Sequence, residues 1–145
     1  MFERLSIIPK GTDPAHSDSG KLGKLGEDIA TRFLEARGFR IIMRNFTVFL
    51  GRNSKGVRVK GEIDIVALDG ESLCLIEVKT RRLEEFNVPQ LTVSPRKRRQ
   101  IKRVGTRFTR IFGLVEMSTR LDVVSVTIPK NRSRPTISLE RDLSF

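Results

Sequence analysis

Asp64, Glu77 and Lys79 are the residues of this chain whose types and spacing suit chemistry. They lie in the stretch from Gly61 to Arg81, where two apolar, alternating runs meet at Asp69-Gly70. That dipeptide between such runs signals a hairpin, because both central residues of the favoured turn must tolerate positive φ. With Asp69 and Gly70 as the turn, Leu68 faces Glu71, Asp64 faces Leu75 and Glu62 faces Glu77. Facing residues share a face of a sheet, as do alternate residues along each strand. Asp64, Glu77 and Lys79 are therefore expected on one face, with Asp64 diagonal to Glu77 at roughly 5–8 Å. Ile63, Ile65, Cys74, Ile76 and Val78 are expected on the other face, against a core.

Like charges opposite one another destabilise a sheet, so converging carboxylates call for a cation. Carboxylate oxygens with no His or Cys beside them suit a hard ion, magnesium or manganese. Asp64 and Glu77 are the expected ligands. Glu62 is either a third ligand or an ion-pair partner for Arg58, Lys60 or Lys79. Lys79 points into the same site. A metal ion plus an ammonium is what phosphodiester hydrolysis needs, one to activate water and one to oppose the developing oxyanion. Surrounded by carboxylates, Lys79 fits electrostatic stabilisation better than general-base work.

Gly-Glu-Ile-Asp followed by Glu-Val-Lys-Thr-Arg resembles the PD-(D/E)XK nuclease superfamily and, more closely, the YraN-like family of small bacterial presumed endonucleases. Asp64, Glu77 and Lys79 match the three site positions, and the resemblance covers roughly residues 23–126. It implies a restriction-endonuclease-like core. A Glu on the first helix approaches the metal site in that family, and Glu27 within Gly-Glu-Asp-Ile-Ala matches it; a solvated Glu on a helix flank is the alternative. Asp122 matches a family Asp read as structural, pairing with an Arg. Family members carry a Lys after the Pro that opens the second helix, and Ser94-Pro95-Arg96-Lys97 fits.

The elements that must position these residues follow from periodicity. Residues 1–19 carry Pro9, Gly11, Pro14 and the lone His16 and read as a flexible tail, with no catalytic role for His16. Residues 20–145 read as one domain. From Ser19, Leu22, Leu25, Ile29, Phe33 and Ala36 recur at helical spacing, with Gly38 as C-cap. Glu27 lies off the centre of that stripe. Phe39 to Leu50 reads as a strand, Gly51 to Gly56 as a turn, and Val57 opens the strand carrying Asp64. Gly61 inside it suggests a bulge or a close ligand approach. Thr80 to Val93 reads as a loop. Ser94-Pro95 starts a helix with the stripe Ile101, Val104, Phe108 and Ile111, and Gly113 ends it. Arg120 to Ile128 is a strand, and Ile137 to Leu139 an added edge strand. The fold class is a single-domain α/β core of helix, three-strand meander, helix and strand, with helices flanking a mixed sheet.

The chain has a net charge of +11 and a pI near 10.8, which implies polyanion partners, nucleic acid and DNA foremost. The charge gathers on the second helix, at Arg96, Arg99, Lys102, Arg103, Arg107 and Arg110, and Arg81 adds to it. That face either lies on phosphates or is merely solvated. Lys97 falls on the inward stripe instead. It is expected to contact the scissile phosphate or a site carboxylate, the alternative being that it snorkels to solvent. One Cys and one His exclude a disulfide framework and a Cys/His zinc site. No apolar run is long enough to span a membrane, no signal pattern opens the chain, and a cytoplasmic setting fits. The expected activity is metal-dependent hydrolysis of DNA or of structured or branched nucleic acid. The alternatives are a non-catalytic nucleic-acid-binding module with a relict site, and an accessory protein docking on an acidic partner. The oligomeric state stays open, a homodimer included.

Overall fold

The first helix, α1 (Asp18–Ala36), packs on the sheet along a stripe that begins with the small residues Gly26 and Ala30 and ends with Leu34. The structure is a computed structural model that describes residues 18–83, 93–130 and 134–143. The expected stripe is displaced: Gly26, Ala30 and Leu34 are buried, while Leu25 is 45% exposed and Ala36 faces solvent. Approach distance is the cause. A Cβ on Gly26 would overlap the Thr80 side chain, so the helix axis comes close to the sheet only along the small-residue side. Gly38 closes the helix as expected, at φ 89°. Its N–H donates to the Glu35 carbonyl and that of Phe39 to the Leu34 carbonyl, both at 3.0 Å, the bonding pair of a glycine-capped helix end.

Five strands follow: β1 (Arg40–Arg52), β2 (Arg58–Asp69), β3 (Ser72–Leu83), β4 (Thr119–Pro129) and β5 (Thr136–Leu143), with α2 (Pro95–Ile111) between β3 and β4. They form one sheet in the order β1-β2-β3-β4-β5. Among the described strands only β3 and β4 are parallel, and α2 supplies the crossover that a parallel pair requires. This is the expected α/β core with a mixed sheet and a helix on each face. β3 extends past Thr80, where a loop was expected, because Thr80 to Leu83 pair with Val126 to Pro129 of β4. The expected tail falls largely outside the described residues, and α1 begins at Asp18. No helix among the described residues is long and apolar enough to cross a membrane.

Both faces of the sheet are cores, which is why β2 and β3 read as near-continuous apolar runs. On the α1 side lie Ile65, Ala67, Cys74, Ile76, Val124 and Val126. On the α2 side lie Ile63, Val66, Leu75, Val104, Phe108 and Leu121. Each Val, Ile, Leu or Phe among them contributes roughly 1.5–3 kcal/mol on burial. Cys74 packs as a small apolar residue, and burial pushes its thiol up to about 12, which makes it inert. Ser94 caps α2 as expected, its Oγ accepting from the Lys97 N–H at 3.1 Å. Glycines again set the packing distance. A Cβ on Gly61 would meet Val104 and Leu50, and one on Gly105 would meet Leu75. Gly61 therefore serves the seat of α2 rather than a ligand. Ile111, expected on the buried stripe, is 58% exposed at the helix end, and Gly105 and Thr109 are buried in its place.

A forked sheet and its carboxylates

The β2–β3 hairpin turns at Gly70-Glu71, one residue later than its sequence suggests: Asp69 pairs with Ser72, and only Gly70 adopts positive φ. Asp69 stays in the strand because its carboxylate accepts from Arg120 Nη2 of β4 at 2.6 Å. Arg120 also donates to the fully buried Asp122, with Nε 2.9 Å from Oδ1, so Asp122 is the structural partner of an arginine. The later turn moves the register by two residues. Parity is kept, but Asp64 now comes opposite Glu77 where the ladder Ile65–Ile76 is continued by one step.

At that step the sheet forks. Before Ile65, β2 pairs with β1 alone, and beyond Ile76, β3 pairs with β4 alone. The alternation of β2 breaks at Asp64: Ile65 packs on the α1 side and Ile63 on the α2 side, so Ile63 does not share the face of Ile65 as expected. Across on β1, Asn45 sits between the paired residues Arg44 and Phe46 at φ 54°, a left-handed conformation that Asn tolerates better than most residues. Where β2 leaves β3, the Val78 N–H loses its strand acceptor. The Asp64 carboxylate takes its place, with Oδ2 accepting at 2.8 Å. The fork is thus held open by the side chain it displays.

Burial raises the Asp64 carboxyl to about 8, and the Glu77 charge adds to it; the Val78 N–H opposes the rise, and Glu27 and Glu62 reinforce it. Glu77 has a side chain only 8% exposed. Its Oε1 lies 3.3 Å from Lys79 Nζ, and its Oε2 is buried without a hydrogen-bond partner among the described residues. An orphaned buried acceptor costs about 1–3 kcal/mol. Glu27 is also raised, by burial, against a hydrogen bond from Asn45 and the charge of Arg44, with Glu62 pushing it higher. Arg44 holds Glu27 at 3.6 Å and Asp28 at 2.8 Å.

Four of the sequence-derived residues therefore meet. Asp64, Glu77 and Lys79 form the centre, and Glu27 faces them from α1. Glu27 lies three and seven residues before the buried Ala30 and Leu34, so it heads the true packing stripe rather than flanking it. Glu62 is exposed but close enough for its charge to be felt at both Asp64 and Glu27. Arg44 and Asn45 escaped the sequence reading. The only signal was a polar pair interrupting an apolar strand.

Lys97 is placed elsewhere. It is half-buried and makes no ion pair with Asp64 or Glu77; it lines a cleft of about 560 Å³ with Arg52, Arg96, Arg99 and Arg103. The stripe position pointed it inward correctly, but α2 crosses the sheet so that its first turns meet the β1–β2 hairpin instead of the fork. Arg103 Nη2 donates to the Leu50 carbonyl at 2.8 Å. Lys102, Arg107 and Arg110 are exposed on α2, and Arg81 Nε donates to Thr127 Oγ1 at 3.3 Å.

Among the described residues no three His, Cys, Asp or Glu side chains gather tightly enough to enclose an ion by themselves. The donor set at the fork is a pair of interacting carboxylates, one of whose oxygens is buried without a hydrogen-bond partner among the described residues. That chemistry fits a hard divalent cation which keeps several of its waters and takes one or two carboxylates from the protein.

Fold and site together define an α/β protein whose mixed sheet is forked around the half-buried Asp64 and the buried Glu77. The chain belongs to the Uncharacterised protein family UPF0102, whose model matches residues 26–126. It is 43% identical over 121 residues to the "UPF0102 protein GSU0650" of Geobacter sulfurreducens, covering 83% of this chain and 85% of that relative. A "UPF0102 protein" of Geotalea daltonii is 40% identical over 114 residues, 78% of this chain and 81% of its own. The solved structure titled "Crystal structure of SSO0001" resembles this one loosely, with a TM-score of 0.38 and 15% identity. The likeness covers 89% of this chain, which spans 55% of that one.

Proposed function

We propose that the protein is a metal-dependent nuclease, hydrolysing phosphodiester bonds in DNA or in structured nucleic acid in the cytoplasm. The observation that carries this reading is the fork, where the Glu77 charge acts on the Asp64 carboxyl and, among the described residues, Glu77 Oε2 is buried without a partner. Such a pair is unfavourable in a structural sheet and favourable around a cation. Asp64 and Glu77 would hold magnesium or manganese, which when bound supplies the charge that acidifies water and neutralises phosphoryl oxygens. The Val78 N–H fixes the Asp64 carboxylate, and Glu77 positions the Lys79 ammonium. Lys79 stabilises charge on the transferring phosphoryl group in the transition state. Glu27, braced by Arg44, carries a raised affinity for a proton and would take one up at its carboxylate.

A second reading, a nucleic-acid-binding module with a relict site, is favoured by one observation: the described residues contain no gathered set of three ligands. The two readings separate in a cleavage screen with manganese against duplex, flap, junction and single-stranded substrates. The nuclease reading expects cleavage of at least one substrate, abolished by Asp64→Asn. Binding without cleavage of any of them points to the relict site.

A further inference from the structure

The open cleft beside the start of α2 has a composition that the fork does not explain. Five cations line it, Arg52, Arg96, Lys97, Arg99 and Arg103, and among the described residues no carboxylate does. Two of these guanidinium groups are fixed by neutral backbone acceptors. Arg52 Nη1 donates to the Gly56 carbonyl and Arg103 Nη2 to that of Leu50, both at 2.8 Å. They are positioned without being neutralised. α2 has no acidic residue in its first turn, so the positive end of the helix dipole adds to the same field. Like charges held this close repel, and the described residues lining the cleft include no counter-ion. A bound polyanion would relieve the repulsion.

The cleft is also aligned with the fork. Val59 lines it, and Asp64 lies five residues further along the same strand. At about 3.3 Å per residue the two places are roughly 16 Å apart. That is about five nucleotide steps along one strand of a duplex, at 3.4 Å each.

We infer that this cleft seats the phosphate backbone of a nucleic-acid duplex, about five nucleotides from the bond offered to Asp64 and Glu77. The second half of that statement rests on the nuclease reading; the backbone site does not. It refines the expectation of an evenly phosphate-binding helix face, because it assigns the contacts to the first half of α2 and to the β1–β2 hairpin.

The test measures affinity in EDTA, so that failure of hydrolysis leaves it unaffected. A fluorescent duplex is titrated with the full chain over a series of salt concentrations. Arg96→Gln with Arg99→Gln removes two exposed cleft charges. Arg107→Gln with Arg110→Gln removes two exposed charges from the second half of the same helix. Each neutralised contact is worth about 0.9 in the slope of log affinity against log salt. The cleft pair is expected to flatten the slope by about 1.8, and the matched pair to leave it unchanged. Equal flattening by both pairs, or by neither, overturns the cleft assignment. Polyglutamate of equal charge competing as well as duplex DNA overturns the choice of nucleic acid.

Discussion

The backbone N–H of Val78 donates to Oδ2 of Asp64 at 2.8 Å, across the point where β2 and β3 part. One side chain thus replaces a strand acceptor while standing close enough to Glu77 for that charge to act on it. Fold and site are coupled through that bond, and the consequences can be measured.

The first concerns pH. The Asp64 carboxyl rises from 3.8 to about 8 on folding, so the folded state favours its protonated form. That contribution is complete below about pH 4 and is lost as pH rises through about 8. Metal-free wild type should therefore lose stability across this window relative to Asp64→Asn, whose amide oxygen can still accept from Val78. Relief of even 1 kcal/mol would raise Tm by about 2–4 °C in a domain of this size. Paired melts at pH 4 and pH 8 check this. An Asn variant less stable than wild type at pH 8 would mark Asp64 as a structural carboxylate.

The second concerns helix approach. Gly23 has open space where a Cβ would stand, and Gly26 has Thr80 there. Gly23→Ala should stabilise α1 by about 0.5–1 kcal/mol. Gly26→Ala should cost about 1–3 kcal/mol by overpacking and should move Glu27 away from the fork. Chemical denaturation of the two variants gives both signs, and equal effects would disprove the close approach.

The third concerns Lys97, which lies in the basic cleft and not against the carboxylates. Lys97→Met keeps the apolar stem and removes the charge. It should flatten the salt slope by about 0.9 and leave turnover of saturating substrate nearly unchanged. A tenfold loss of turnover at an unchanged slope would instead place its ammonium at the reacting phosphate, a contact of about 1.4 kcal/mol.

Much of this was readable in the residues. Period-two alternation carries the parity that puts Asp64, Glu77 and Lys79 together, and parity survives the two-residue slip of the hairpin. Ser94-Pro95 and Gly38 mark helix ends because capping is local chemistry. What was not readable depends on partners distant in sequence. Arg120 holds Asp69 in the strand and so delays the turn. Thr80 and Gly26 let the small side of α1 win over its large side. The break at Asp64, matched by Asn45 on β1, has no signature in either strand alone. Lys97 could be placed on the inward stripe of α2 but not aimed, because the crossing of α2 over the sheet is set by Gly61 and Gly105 against Val104 and Leu75.

The central claim, that Asp64 and Glu77 form a divalent-cation site, is tested most directly by calorimetric titration of the full chain with manganese at pH 7, in buffers of different ionisation enthalpy. Asp64, raised to about 8, is mostly protonated at that pH and must ionise to act as a ligand. Ion uptake should therefore release about one proton, and it should vanish when Asp64→Asn and Glu77→Gln are combined. Uptake without proton release, or binding that persists in the double variant, would contradict the site.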